Sequence, residues 1–106
     1  MDLRKDQRFP VHFRIFLMPP DTKEEVGTVV DLSLGGCRIK TPSTMLTGIH
    51  LVLRLDVPGE VDPIRVERAA VRWSTGDEFG VYFVTMSVRH HERLKHILRS
   101  LEKQAQ

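Results

Sequence analysis

A chain of 106 residues with 41% hydrophobic content has the size of one ordinary globular domain with a single modest core. Its formal net charge is only +2 although 28% of its residues are charged, which argues against a broad basic surface for DNA or RNA and still allows a local anion site. The lone Cys37 excludes an internal disulfide framework, and with neither an apolar run of about 18 residues for membrane insertion nor a signal-peptide pattern, a cytoplasmic protein is expected.

In chain order, residues 1–9 are nearly all polar up to Arg8 and show no periodicity that would bury a face, so they read as a flexible arm carrying R-x-x-x-R at Arg4 and Arg8. From Pro10 the pattern alternates: Val11, Phe13, Ile15 and Leu17 against His12, Arg14, Phe16 and Met18, the period of a strand with one face in a core. Pro19-Pro20-Asp21 ends it. Val26 to Asp31 predicts a second strand, Gly35-Gly36 a turn, and Cys37 to Lys40 a third strand that stops at Pro42. Ile49, Leu51, Leu53, Leu55 and Val57 mark a fourth. Ile64 and Val66, then Ala69, Val71 and Trp73, predict a long fifth strand whose alternation slips near Arg68, as at a β-bulge, before a hairpin around Thr75-Gly76-Asp77 and a return over Phe79 to Val84. After Ser87, an N-cap residue, Leu94, Ile97, Leu98 and Leu101 take the spacing of one helical face, predicting a helix over Val88 to Lys103. That helix lies on its own barrel or pairs with another copy, so a monomer and a homodimer both stay open.

Six short extended segments, too closely spaced for crossover helices, predict an all-β fold: a six-stranded antiparallel β-barrel over residues 10–86, closed so that no edge is exposed, followed by a C-terminal α-helix over 87–106.

Two fragments carry complementary halves of a guanine-phosphate site, Arg4-Lys5-Asp6-Gln7-Arg8 and Asp31-Leu32-Ser33-Leu34-Gly35-Gly36. Arginine presents a planar fork that grips phosphate or the O6/N7 edge of guanine, and its flat face stacks on a base. An ionised aspartate only accepts, which suits the N1-H and N2-H donors of guanine's other edge, while the Ser33 hydroxyl can donate or accept. Gly35 and Gly36 lack a Cβ, so a ligand or a sharp turn can come close to the backbone. The structural alternative is a β-turn in which Asp31 or Ser33 satisfies turn amides and the glycines supply positive φ. Arg38, just beyond, is either a further phosphate contact or a solvated charge. Trp73 either stacks on a base or fills the barrel, the more common fate of a lone tryptophan. His90, His91 and His96 lack the spacing of a helical metal site, and Cys37 has no catalytic spacing to any histidine, so neither a metal nor an enzyme is expected.

The succession of R-x-x-x-R, Arg8-Phe9-Pro10-Val11, D-x-S-x-x-G and Gly80-Val81-Tyr82-Phe83 resembles the PilZ domain, over most of the chain. The resemblance implies a split-barrel type fold and a non-enzymatic receptor for cyclic di-GMP, with no other cofactor. It places Arg4 and Arg8, then Asp31, Ser33 and Gly36, at the ligand, with Gly80 as a small residue that lets a base sit close to the sheet. Ligand-driven ordering of the arm, which like charges on Arg4, Lys5 and Arg8 otherwise leave unsettled, would then act on an unknown downstream protein with a motility, biofilm or exopolysaccharide output. The alternative within the family is a nucleotide-independent protein-interaction module, as in type IV pilus assembly. Leu3, in place of a further arginine before Arg4, favours one ligand per chain.

Overall fold

The computed structural model describes residues 7–104, which form six strands and one helix. Strands β1 (Phe9–Met18), β2 (Glu25–Leu32), β3 (Gly36–Lys40), β4 (His50–Asp56), β5 (Ile64–Thr75) and β6 (Glu78–Thr85) close into an antiparallel barrel in the order β1-β2-β3-β6-β5-β4, with β4 returning to β1. The expected barrel is therefore the one formed. β1 starts at Phe9, whose ring is buried, one residue before the expected strand.

Alternation explains why these segments are strands. Phe13, Ile15 and Leu17 of β1, Leu51, Leu53 and Leu55 of β4, and Ile64 and Val66 of β5 all point inward, and Met45 from the β3–β4 connection joins the same core. Two exposed residues in a row, Glu67 and Arg68, break the β5 pattern, and there Leu51 pairs with Ala69 but Leu53 with Val66, so the β-bulge expected near Arg68 is present. The β5–β6 hairpin turns through Gly76 and Asp77, with Gly76 at φ 62°, the residue a type II′ turn takes at its first central position.

The helix α1 (Val88–Gln104) begins where the Ser87 hydroxyl accepts the N–H of His90 at 3.2 Å, capping the first turn. It docks on β5 and β1 of its own barrel through Leu94, Ile97 and Leu98, all buried, with Leu101 packed beside them. Burying each such side chain contributes about 1.5–3 kcal/mol, enough to hold a helix that would be marginal alone. Arg93 adds a second tie by donating to the Pro63 carbonyl at 3.0 Å. On the helix surface Glu92 pairs with Lys95 at 3.4 Å and not with His96.

Candidate functional site

The two polar fragments meet on the outer face of the barrel. Arg8, at the foot of β1, places Nη1 2.6 Å from Oδ1 of Asp31 on β2, and Arg38 on β3 brings Nε to 3.2 Å from Oδ2 of the same carboxylate. Register explains the meeting. Asp31 pairs with Pro10 across β1–β2 and with Arg38 across β2–β3, so residues far apart in the chain stand side by side. Arg38 is thus neither free in solvent nor waiting for a partner, because Glu78 lies 3.7 Å from its Nε on the other side. The Arg38 Nε–H is buried without a well-aligned acceptor, so its attraction to the two carboxylates is charge without a directed hydrogen bond.

Arg8 is half-exposed and engaged by the Asp31 carboxylate. An opposite charge sits directly against its guanidinium. Gln7, beside it, donates from Nε2 to Oε2 of Glu102 near the end of α1 at 3.4 Å, joining the motif to the helix. Arg4, Lys5 and Leu3 lie outside the described residues.

The turn between β2 and β3 uses Ser33 for itself. The Ser33 N–H donates to the Gly36 carbonyl at 2.8 Å, and its hydroxyl is within 3.1 Å of both that carbonyl and the Gly36 N–H, while the side chain is almost fully buried. Its hydroxyl is satisfied by the turn before any ligand is considered. Neither Gly35 nor Gly36 has positive φ, so the turn does not draw on that freedom. Gly36 is required by packing: a Cβ there would lie 2.2 Å from the Val81 carbonyl oxygen of β6. Below this turn, Cys37 is buried in the core, where burial first and the Asp31 charge second push its thiol far above the ordinary range.

Next to the turn runs a cleft of about 410 Å³ lined by Arg8, Ser33, Gly35, Gly36, Trp73 and Gly80, together with Arg72, Val81 and Tyr82. Trp73 does not fill the barrel. It lies outside, 41% exposed, with its indole so close over Gly80 that a Cβ on that glycine would sit 2.1 Å from Nε1. Gly80 therefore makes room for the tryptophan indole. Arg72 and Tyr82 were not among the expected residues, and the guanidinium of Arg72 sits 5.1 Å from the Tyr82 ring centroid.

The cleft offers an aromatic shelf and the guanidinium groups of Arg8 and Arg72, and the Asp31 carboxylate lies at its border against Arg8, parts suited to holding a purine and an anion together. A larger hollow, about 530 Å³, runs past Arg14, Asp56 and the loop from Val57 to Pro63 and shares none of these residues. Among the described residues, no three His, Cys, Asp or Glu side chains converge as a metal site would require, and no helix is long and apolar enough to cross a membrane.

Comparison with known proteins agrees with the barrel fold. The family model described as PilZ domain matches residues 2–100. No curated protein matches the chain. Among solved structures, the PilZ domain of CeSA from a cellulose-synthesizing bacterium superposes with a TM-score of 0.72 at 17% identity, covering 92% of this chain and 99% of that one. The Bacillus subtilis inhibitor of motility MotI/DgrA gives 0.75 at 19% identity, covering 97% of this chain but only 54% of its own. The PilZ domain of YcgR from Escherichia coli, solved with c-di-GMP, gives 0.75 at 17% identity and covers 96% and 93%.

Proposed function

Because the chain belongs to the PilZ domain family, we propose that it is a cyclic di-GMP receptor that binds the dinucleotide in the cleft beside the Arg8–Asp31 pair and turns binding into a movement of its N-terminal segment. The observation that carries this reading is the contact between Arg8 and Asp31 at 2.6 Å, since it brings the two motifs together beside an aromatic shelf. YcgR's PilZ domain, of the same fold, was solved with that ligand and supports the choice of nucleotide.

Each group has a task suited to its chemistry. The Trp73 indole, already flat against Gly80, offers a face for a guanine. The Asp31 carboxylate accepts from guanine N1-H and N2-H, and the forks of Arg8 and Arg4 take phosphate oxygens or the O6/N7 edge. Ser33 and Gly36 act by holding the turn, so the surface facing the ligand is ordered in advance. An exposed ion pair such as Arg8–Asp31 is worth about 0–1 kcal/mol, whereas a hydrogen bond to a charged ligand group contributes about 1.5–3 kcal/mol. Exchanging the first for the second favours the bound state. Gln7 moves with Arg8, so its contact with Glu102 gives the exchange a path to the helix and to a downstream partner.

The test is calorimetric titration with cyclic di-GMP. A saturable response is expected, weakened by about tenfold or more in Arg8→Ala and in Asp31→Ala. Both variants should melt within a few degrees of the parent, because the pair is partly solvated. A parent protein that gives no response to saturating dinucleotide refutes the proposal and leaves a nucleotide-independent interaction module as the function to pursue by partner capture.

A further inference from the structure

Strand β5 carries one residue too many against β6. Val71 pairs with Val81 and Trp73 with Gly80, so Arg72 and Trp73 together oppose a single residue in a second β-bulge, separate from the one near Arg68. Without it, side chains would alternate, and since Val71 is buried, Trp73 would point into the barrel as well. The extra residue turns both Arg72 and Trp73 outward onto the same face, where both are exposed. Gly80 then accommodates the indole, and Tyr82, the next outward residue of β6, receives the Arg72 guanidinium over its ring at 5.1 Å.

The consequence is a pairing that a regular strand cannot make. Outward neighbours on a strand are normally two residues apart, about 6.5–7 Å. Here a flat aromatic face and a guanidinium come from consecutive residues and line one cleft. Arg8 and Arg38 each have a carboxylate partner, but among the described residues none lies within 4.0 Å of Arg72. Its charge is held in orientation by an aromatic ring, a surface that leaves the N–H edge of the fork available.

Resting on the receptor reading above, we propose that Arg72 is a further ligand-binding residue, taking a phosphate of the dinucleotide whose base lies on Trp73, with Tyr82 as the residue that positions it. Arg8 approaches from the β1 side of the cleft, and Arg72 approaches across β2, β3 and β6 from it. Two cations on opposite sides suit a compact ligand bearing two phosphates.

The experiment is a titration of the full chain with cyclic di-GMP, comparing the parent with Arg72→Ala, Arg72→Lys, Tyr82→Leu and Arg68→Ala. Arg68 is an exposed arginine of the same strand outside the cleft, so its variant removes an equal charge from elsewhere. Arg72→Ala should weaken binding about tenfold and make it less sensitive to salt. Arg72→Lys should recover only part of the loss because an ammonium lacks the fork, Tyr82→Leu should lose a few-fold, and Arg68→Ala should match the parent. Equal losses for Arg68→Ala and Arg72→Ala, or parental affinity in Arg72→Ala, overturn the inference while the receptor function stands. A parent that does not bind removes both.

Discussion

Two glycines of the site invite the same substitution and should answer it in opposite ways. In Gly36→Ala the new Cβ would lie 2.2 Å from the Val81 carbonyl oxygen, 3.0 Å from Tyr82 Cα and 3.2 Å from the Val81 carbonyl carbon. Every obstacle is backbone, and none can rotate away. Relief requires β3 and β6 to part, which strains bonds such as the one from the Phe83 N–H to the Gly35 carbonyl at 2.8 Å. Overpacking of this kind costs about 1–3 kcal/mol, and a net hydrogen bond about 1 kcal/mol more. For a domain of this size the resulting loss of about 2–4 kcal/mol lowers Tm by roughly 8–30 °C. In Gly80→Ala the obstacles are Nε1, Cε2 and Cδ1 of Trp73, at 2.1, 2.5 and 2.9 Å, all on one side chain that is 41% exposed and free to swing outward. Stability should fall by less than about 1 kcal/mol, within the range of ordinary surface changes. The aromatic shelf, however, is lost. Because Trp73 is the chain's one tryptophan, its emission reports the movement without a label. Thermal melts by circular dichroism, emission spectra and dinucleotide titration on both variants read the contrast. Gly36→Ala should melt early or fail to fold, and Gly80→Ala should melt near the parent with red-shifted emission and weakened binding. A Gly80→Ala protein with parental emission, or a Gly36→Ala protein with parental Tm, would refute this account of the packing.

His90 gives a pH dependence with a definite sign. Its Nδ1 accepts the Arg65 N–H at 3.3 Å, and burial first, then the charges of Arg93, Arg89 and Arg65 against the opposing pull of Glu67, hold its pKa below the ordinary value. The folded protein therefore binds the proton less readily than the unfolded chain, so the stability from neutral His90 is complete above about pH 6.5 and declines as pH falls from there toward the depressed folded value. Melting curves from pH 7.5 to 5 should fall less steeply for His90→Gln than for the parent; parallel curves would remove His90 as the cause. Leu94 is fully buried under the helix, so Leu94→Ala should cost about 2–5 kcal/mol, measured by urea unfolding, and an unchanged midpoint would mean that the helix contributes little to the fold.

Most of the barrel was legible because one face of each strand is buried and the side-chain period is two. The bulge near Arg68 was legible for the same reason, since Glu67 and Arg68 interrupt the alternation with two adjacent charged residues. The bulge at Arg72 was not, because Val71 and Trp73 are both apolar and stand two apart, which keeps the written pattern intact while the backbone departs from it. That is why a tryptophan on the outside reads in the sequence more readily as one that fills the barrel. Arg72 and Tyr82 were missed as a consequence, since only the extra residue sets them over one another. Ser33 and Gly36 illustrate a different limit: residue types that suit a ligand also suit a tight turn and a close strand contact, and the hydroxyl and the missing Cβ are used for those.

At the centre of the proposed site stands Asp31, whose two oxygens face two different arginines. Its side chain is 17% exposed, against 52% for Arg8, so the carboxylate is the fixed half of that pair and the guanidinium the movable one. If Arg8 turns to a phosphate, Asp31 keeps Arg38 and gains the guanine N1-H and N2-H donors in place of the departing cation, and no partly buried charge is left without a partner at any stage. The two states then differ by an exchange of similar contacts and not by the making or breaking of a core. Such an exchange has a small gap, and a ligand with a differential affinity of a few kcal/mol is enough to reverse its populations. Arg38→Ala tests this directly. Removing the arginine that stays should leave Asp31 dependent on Arg8 and so tighten the unliganded pair, weakening cyclic di-GMP although Arg38 need never touch it; an Arg38→Ala protein that binds as tightly as the parent would show that Asp31 does not need the second cation to release the first.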